Sequence, residues 1–318
     1  MQTALVAGGA GFIGKHLCEN LLKDNYFVVC VDNFITSDKK NLENLLSHPN
    51  FKFIEQDITK QLDLSLFPQV NFIFHLASPA SPNKKSPRSY INFPIETLLA
   101  NSVGTKNLLD ASIEKNAKFL YVSTSEIYGD PLVSPQNEDY YGNVSPNGIR
   151  SVYDEGKRFG EAITMAYFRK YNLDIRIIRI FNTYGPFMQI DDGRVVSNFI
   201  NQAIMNEPLT VYGKGEQTRS FCYVDDMVKG LKLALFSPNT NGEVFNLGNP
   251  DEKTILQLAQ LIKKLTNSKS QIVFEDLPQD DPKSRNPDIS KAKRVFNWVP
   301  EMKTEDGIAK TIEYFKGL

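Results

Sequence analysis

Six short runs, TALVA, YFVVCVD, FKFIEQD, NFIFHLA, KFLYVST and DIRIIRIF, recur along the first part of the chain with helix-like segments between them. A strand with one wet face alternates apolar and polar side chains, whereas a strand covered on both faces is apolar almost throughout. Runs of the second kind, spaced by helices, predict a parallel sheet wrapped on both sides: an α/β, doubly wound, Rossmann-type fold. After FNTYGP, residues 181–186, the rhythm changes to helices joined by Gly- and Pro-containing loops such as YGKGEQT and DLPQDDPKSRNPD. The expected organisation is a nucleotide-binding domain over 1–182 and a smaller C-terminal, mainly substrate-binding lobe over 183–318. A stretch of about 219–249 returns to the first domain, with EVFNLGN (243–249) as a last strand.

Directly behind the first run stands GGAGFIG, with Gly8, Gly11 and Gly14 spaced three apart and a helical pattern following. A lone glycine pattern is a weak signal; a strand before it, a helix after it and an acid at the end of the second strand sharpen it. Gly8 suits a tight turn, Gly11 lets backbone approach a pyrophosphate at the positive helix terminus, and Gly14 lets helix and strand pack closely. The acid is Asp32, 18 residues beyond Gly14. It can accept both ribose hydroxyls and would repel a 2′-phosphate, so the expected cofactor is NAD rather than NADP. Asp57, at the end of the third run, can accept from the adenine amino group.

At the end of the fifth run stands STSEIYG, residues 123–129, where ligands bind in sheets of this kind. Further on, SVYDEGK places Tyr153 and Lys157 four apart, on one face of a helix. Of the 13 tyrosines only Tyr153 has a lysine four residues on, although chance would supply about one such pair. Tyrosine ionises near pH 10, too high for a base at neutral pH. The Lys157 cation and a positive nicotinamide ring would favour phenolate, so that Tyr153 could remove a hydroxyl proton while Thr124 holds the same oxygen.

Composition narrows the partners. With 36 basic against 37 acidic residues the net charge is −1, which argues against nucleic acid or an anionic membrane surface. Cys18, Cys30 and Cys222 are far apart, and His16, His48 and His75 share no metal-ligand spacing, so neither disulfide nor metal is expected. The N-terminal apolar run lacks a basic leader and is broken by glycines, and a cytoplasmic enzyme is the expectation.

Taken together, GGAGFIG, STSEIYG and YDEGK resemble the extended short-chain dehydrogenase/reductase family acting on nucleotide sugars. HLASPASP, YDEGKR, IFNTYGP, DGRVVSNFI, LTVYGKGEQTRSF, NLGNP and DDPKSRNPDI are similar to the UDP-glucuronate decarboxylase group of that family, from about residue 3 to the C-terminus. The resemblance implies oxidation at sugar carbon 4, loss of the carboxylate β to the resulting ketone, reprotonation at carbon 5 and return of the hydride. It implies Tyr153 as base, Lys157 on the cofactor ribose, Thr124 on the reacting oxygen, and Ser125, Glu126 and Arg285 for decarboxylation and reprotonation. In related 4,6-dehydratases the middle residue of the T-x-E triplet is an aspartate acid, and Ser125 at that position argues against dehydration. The resemblance further implies cofactor contacts from Phe12, Ile13, Asn33, Ile58 and Ala77. Tyr90, Asn182, Arg194, Val195, Tyr212, Arg219 and Arg285 would meet the substrate, with Tyr212 toward uracil, and the chain would pair as a homodimer through helices near 95–115 and 151–171.

One stretch departs from the family pattern. Between SPASP and PIET stands NKKSPRSYINF, residues 83–93, longer by several residues and without the usual Tyr-Asn before Pro94. This bears on which uronate is the substrate. The alternatives are a UDP-uronate 4-epimerase, with the same Tyr153 oxidation but the carboxylate retained, or a non-catalytic NAD-sensing protein.

Overall fold

The computed structural model of the chain describes residues 1–63, 65, 69–277 and 284–318. The six runs form β1 (Thr3–Ala7), β2 (Phe27–Asp32), β3 (Phe51–Glu55), β4 (Phe72–His75), β5 (Lys118–Thr124) and β6 (Ile175–Ile180). Four short strands follow, β7 (Thr183–Tyr184), β8 (Leu209–Tyr212), β9 (Thr218–Ser220) and β10 (Cys222–Tyr223), and then β11 (Glu243–Leu247). β11 pairs parallel with β6 and completes a seven-stranded sheet in the order β11-β6-β5-β4-β1-β2-β3. Every pairing within it is parallel. The order reverses beside β1, so the loops after β1 and β4 diverge there and leave a crevice.

Burial explains the continuous apolar runs. Leu5, Val29, Ile73, Phe119 and Ile177 point to one face and pack with Leu108 and Leu109 of α3 (Thr105–Lys115). Their neighbours Val6, Cys30, Phe74 and Leu120 point to the other and pack with Leu17 and Leu21 of α1 (Phe12–Lys23). Each large apolar side chain so buried contributes roughly 2 kcal/mol, which a strand with a wet face would forgo on every second residue. Between these helices in sequence lies α2 (Pro94–Leu99), joined to α3 by a wider turn over Ala100–Gly104. The long α4 (Ser151–Tyr171) lies beside α2 and α3.

The remaining elements are α5 (Val195–Ile204), α6 (Val224–Phe236), β12 (Glu252–Thr254), α7 (Ile255–Thr266), β13 (Ile272–Glu275), β14 (Ser284–Arg285), α8 (Ser290–Phe296) and α9 (Thr304–Lys316). α6 covers the same face as α1, while α5, α7 and α9 pack on one another around β8 and β13. α7 starts with a capping box in which Thr254 and Gln257 satisfy each other's backbone donors. β9 is sandwiched between β12 and β14, which places Arg219 directly beside Arg285. Residues 280–283, the first part of DDPKSRNPDI, lie outside the described residues.

Helix α4 carries the Tyr153–Lys157 pair, and its distance from the sheet is set by a missing side chain. A Cβ on Gly160 would fall onto the Tyr121 hydroxyl of β5, which itself donates to Asn101 Oδ1 at 3.1 Å. In a free helix Gly→Ala stabilises by about 1 kcal/mol. Here overpacking against Tyr121 outweighs that gain, because forcing atoms into a filled core costs about 1–3 kcal/mol. Gly160→Ala is therefore expected to lower stability in a urea melt. A rise in the unfolding midpoint would contradict the close docking of α4 on β5.

Candidate active site

The glycine loop closes tightly against the sheet. Gly8 has φ +80°, and a Cβ there would lie 2.6 Å from Ala77 N; a Cβ on Gly14 would fall onto the Gly8 carbonyl. At Gly11 such a Cβ would meet, among the described residues, just Gly8 O at 3.2 Å, which leaves its other side open. Lys15 N–H bonds back to Gly11 C=O at 2.9 Å, and the amides ahead of it in α1 are the ones a helix start leaves for an anion. Asp32 ends β2 with its carboxylate braced: Oδ2 accepts from Ala10 N at 3.0 Å, and Oδ1 accepts from Phe34 N at 2.9 Å and Ser37 Oγ at 2.8 Å. Burial raises its pKa against these bonds.

Two adjoining cavities line the crevice. One is walled by Asp32, Asn33, Asp57, Ile58 and Ala77. The other is walled by Phe12, Ile13, Gly14, Thr124, Ser125, Glu126, Tyr153, Lys157, Asn182 and Arg194. Gly8 and Gly11 belong to both. This cradle fits a dinucleotide: an acid at one nucleoside end, side-chain-free backbone at the middle, a tyrosine and lysine at the other end. Gly8, Gly11, Phe12, Ile13, Gly14 and Asp32 would hold such a group, with Asn33, Asp57, Ile58 and Ala77 lining the cavity beside Asp32.

Tyr153 and Lys157 both point inward from α4. Lys157 Nζ donates to Val122 O of β5 at 2.8 Å and lies 5.9 Å from the centre of the Tyr153 ring. Burial is the largest influence on each. It lowers the Lys157 ammonium to about 7, with Glu161 opposing, and raises the Tyr153 phenol to about 12 against the pull of its Thr124 contact and the Arg194 charge. In the protein alone, burial thus outweighs the expected attraction of Lys157 on the phenol. A positive charge delivered into the cavity shifts the balance back toward phenolate.

Beyond Tyr153 lies a charged cluster. Glu126 accepts from Arg150 Nη2, and Arg285 Nη2 approaches the same carboxylate at 3.6 Å. Burial alone would raise Glu126, but Arg150 and then Arg285 hold it at about 2. Asp154 beside it is raised to about 8, first by burial and then by the Glu126 charge, and its Oδ1 has no partner among the described residues. At neutral pH, two guanidinium groups therefore face one ionised carboxylate and one protonated one. Arg285 is 3% exposed, donates to Gly129 O and keeps an unpartnered Nε among the described residues.

The sequence-predicted residues do not all gather here. Tyr90 is buried against the back of the site, its ring stacked on Tyr153 at 4.9 Å and 2°. Val195, the first residue of α5, packs against the apolar core, and Tyr212 ends β8; neither lines the two cavities. Arg219 reaches the cluster through its neighbour Arg285. Sequence reasoning missed Arg150, Asp154, Thr36 and Arg88. Arg150 and Asp154 flank Tyr153 on the first turn of α4, and their nearness to a base was the available signal. No group of potential metal ligands occurs among the described residues.

The family model described as the NAD dependent epimerase/dehydratase family matches residues 4–248. UDP-glucuronic acid decarboxylase 1 of Danio rerio is 50% identical over 311 residues, covering 98% of this chain and 72% of that protein. UDP-glucuronic acid decarboxylase 3 of Arabidopsis thaliana is 48% identical over 98% of this chain and 88% of its own length. The crystal structure of UDP-glucuronic acid 4-epimerase from Bacillus cereus with UDP-glucuronic acid and NAD superposes with a TM-score of 0.88 at 31% identity, over 99% of both chains.

The ion cluster makes a stability prediction. Glu126→Gln leaves Arg150 and Arg285 without their anion and is expected to cost on the order of 3 kcal/mol at pH 7. Because the folded pKa of Glu126 lies near 2, below the ordinary 4.5, this contribution is present above about pH 4.5 and is lost as the pH falls toward 2. Urea melts of wild type and variant should begin to converge below about pH 4.5 and close the gap as the pH approaches 2. A gap independent of pH would mean that Glu126 is not held ionised by the two arginines.

Proposed function

The chain belongs to the NAD dependent epimerase/dehydratase family, and within it we propose that it decarboxylates UDP-glucuronate to UDP-xylose through a 4-keto sugar. The observation that carries this reading is the charged cluster around Glu126, which lines the cavity. Oxidation at carbon 4 needs only Tyr153, Lys157 and Thr124, whereas the surplus positive charge of Arg150 and Arg285 around Glu126 suits a substrate with a carboxylate and a diphosphate. The likeness to decarboxylases along nearly the whole chain supports the same conclusion.

The chemistry that NAD supplies when bound is reversible acceptance of a hydride from carbon 4. Tyr153 takes the proton of the carbon-4 hydroxyl, and Thr124 holds the oxygen as it becomes a carbonyl. Lys157, fixed by Val122 O, orients the ribose and keeps a donor beside the phenol. The carboxylate then stands β to a ketone, so the electrons released with carbon dioxide flow into an enolate instead of an isolated carbanion. Carbon 5 is protonated by a water at the end of the cavity lined by Ser125 and Glu126, with Arg285 against the Glu126 carboxylate. Glu126 is ionised there, so it acts as an acceptor that orients the proton carrier rather than as the acid itself. Tyr153 finally returns its proton to the carbon-4 oxygen.

Asn182, Arg194, Arg219 and Arg285 serve the substrate in this reading, with residues 183–318 forming most of its lobe and about 219–249 returning to the NAD-binding domain of 1–182. Tyr90 supports the base from behind, and Tyr212 and Val195 are outer contacts. A homodimer is part of the reading: Ile95 and Leu99 of α2, Val103 of the wider turn after it and Phe159 of α4 are exposed along the predicted helix pair. So is a cytoplasmic location; no helix of the described residues is long and apolar enough to cross a membrane.

Incubation with UDP-glucuronate should release carbon dioxide and yield a five-carbon sugar nucleotide, without net accumulation of reduced cofactor. Retention of all six carbons with inversion at carbon 4 would replace this reading by the epimerase. Tyr153→Phe should lower turnover by 100-fold or more, on the scale of a lost general base, while the purified variant still carries NAD. Near wild-type turnover would remove Tyr153 from the role of base.

A further inference from the structure

The longer loop that sets this chain apart is tied shut at its base. Ser89 Oγ and Tyr90 N both donate to Ser81 O, each at 3.0 Å, so residues 82–88 leave and re-enter at one point. Arg88 stands at the end of this excursion. Its Nη1 donates to Thr36 O at 3.1 Å and Ser37 O at 3.2 Å, and its Nε to Asp191 Oδ1 at 3.2 Å. Nη2 makes no hydrogen bond among the described residues.

Thr36 occupies a particular place. It lines both cavities, together with Gly8, Gly11, Leu76 and Ser78. A dinucleotide that fills the two cavities must pass its pyrophosphate across the wall they share. The backbone amides at the start of α1 meet that wall. Arg88, which lines the catalytic cavity, is anchored on the carbonyl of Thr36 in that wall.

We propose that Arg88 is a cofactor-binding residue, supplying the side-chain cation for the dinucleotide pyrophosphate through its free Nη2. The assignment rests on the NAD reading and adds to it a charge that the glycine loop lacks. The carbonyls of Thr36 and Ser37 and the Asp191 carboxylate fix the guanidinium plane before ligand arrives, so little side-chain freedom is left to lose on binding. The insertion thereby acts on the cofactor, and its closed base leaves Tyr90 stacked on Tyr153 whatever the loop's length.

The full-length chain, stripped of nucleotide, and its variants are titrated calorimetrically with ADP-ribose, which carries the pyrophosphate, and with adenosine, which lacks it. Arg88→Ala should weaken ADP-ribose about 10- to 100-fold, the scale of one hydrogen bond to a charged group, and leave adenosine within about two-fold. Arg88→Lys should recover part of the loss. Asp191→Asn, which removes one of three braces and keeps the cation, should weaken ADP-ribose much less than Arg88→Ala does. Unchanged ADP-ribose binding in Arg88→Ala, equal losses for both ligands, or an equal loss in Asp191→Asn would reduce Arg88 to a latch between loops and overturn the assignment. If the alanine variant does not fold, Arg88→Gln, which retains a donor for Thr36, carries the same comparison. Failure of wild type to bind either ADP-ribose or NAD would instead remove the NAD reading itself.

Discussion

The close approach of α4 to β5 is the contact on which the site depends. Tyr121 occupies the space where Gly160 has no side chain, and this lets α4 lie near enough for Lys157 to reach Val122 O. One turn earlier, the same approach sets Tyr153 beside Thr124 at the end of β5. Tyr153 and Thr124, the proposed base and the proposed holder of the reacting oxygen, thus come from a helix and a strand whose separation is fixed by packing. Held by a loop, the pair would have a less definite distance.

Closeness of this kind has an electrostatic cost. Lys157, Tyr153, Asp154 and Glu126 are all withdrawn from water, and burial opposes the charged form of each. The outcomes diverge because the neighbours differ. Glu126 has two guanidinium groups against it and stays ionised, whereas burial and the Glu126 charge raise Asp154 to about 8. Lys157 has only a carbonyl and a more distant carboxylate, and its proton is loosely held near neutral pH. Two carboxyls, a phenol and an ammonium with separated proton affinities suit a sequence of proton removal, decarboxylation and proton return at one pH.

The loops over the crevice are knit to one another more than to the sheet. Ser81 Oγ donates to Asp192 O, Asn83 lies against Gly193, and Arg88 links the segment after β2 to Asp191. Residues 80–93 and 188–194 therefore form one wall over the glycine loop. An insertion in such a wall changes what faces the ligand while the catalytic strand ends stay in place, which is how one fold carries different nucleotide-sugar chemistries.

Much of this was legible in the chain itself. All six apolar runs and EVFNLGN became strands of one parallel sheet, because a strand covered on both faces is apolar almost throughout, and that is a local property. The glycine spacing, Asp32 and the Tyr153–Lys157 interval were equally readable, since each reflects a turn, a strand end or a helical period within a few residues. The stack of Tyr90 on Tyr153, the bracing of Glu126 by Arg150 and Arg285, the proton on Asp154 and the junction position of Arg88 were not. Those depend on which distant segments meet and on how completely they exclude water. A pKa or a hydrogen-bond partner is set by the whole surrounding volume, and only the tertiary structure assembles that volume.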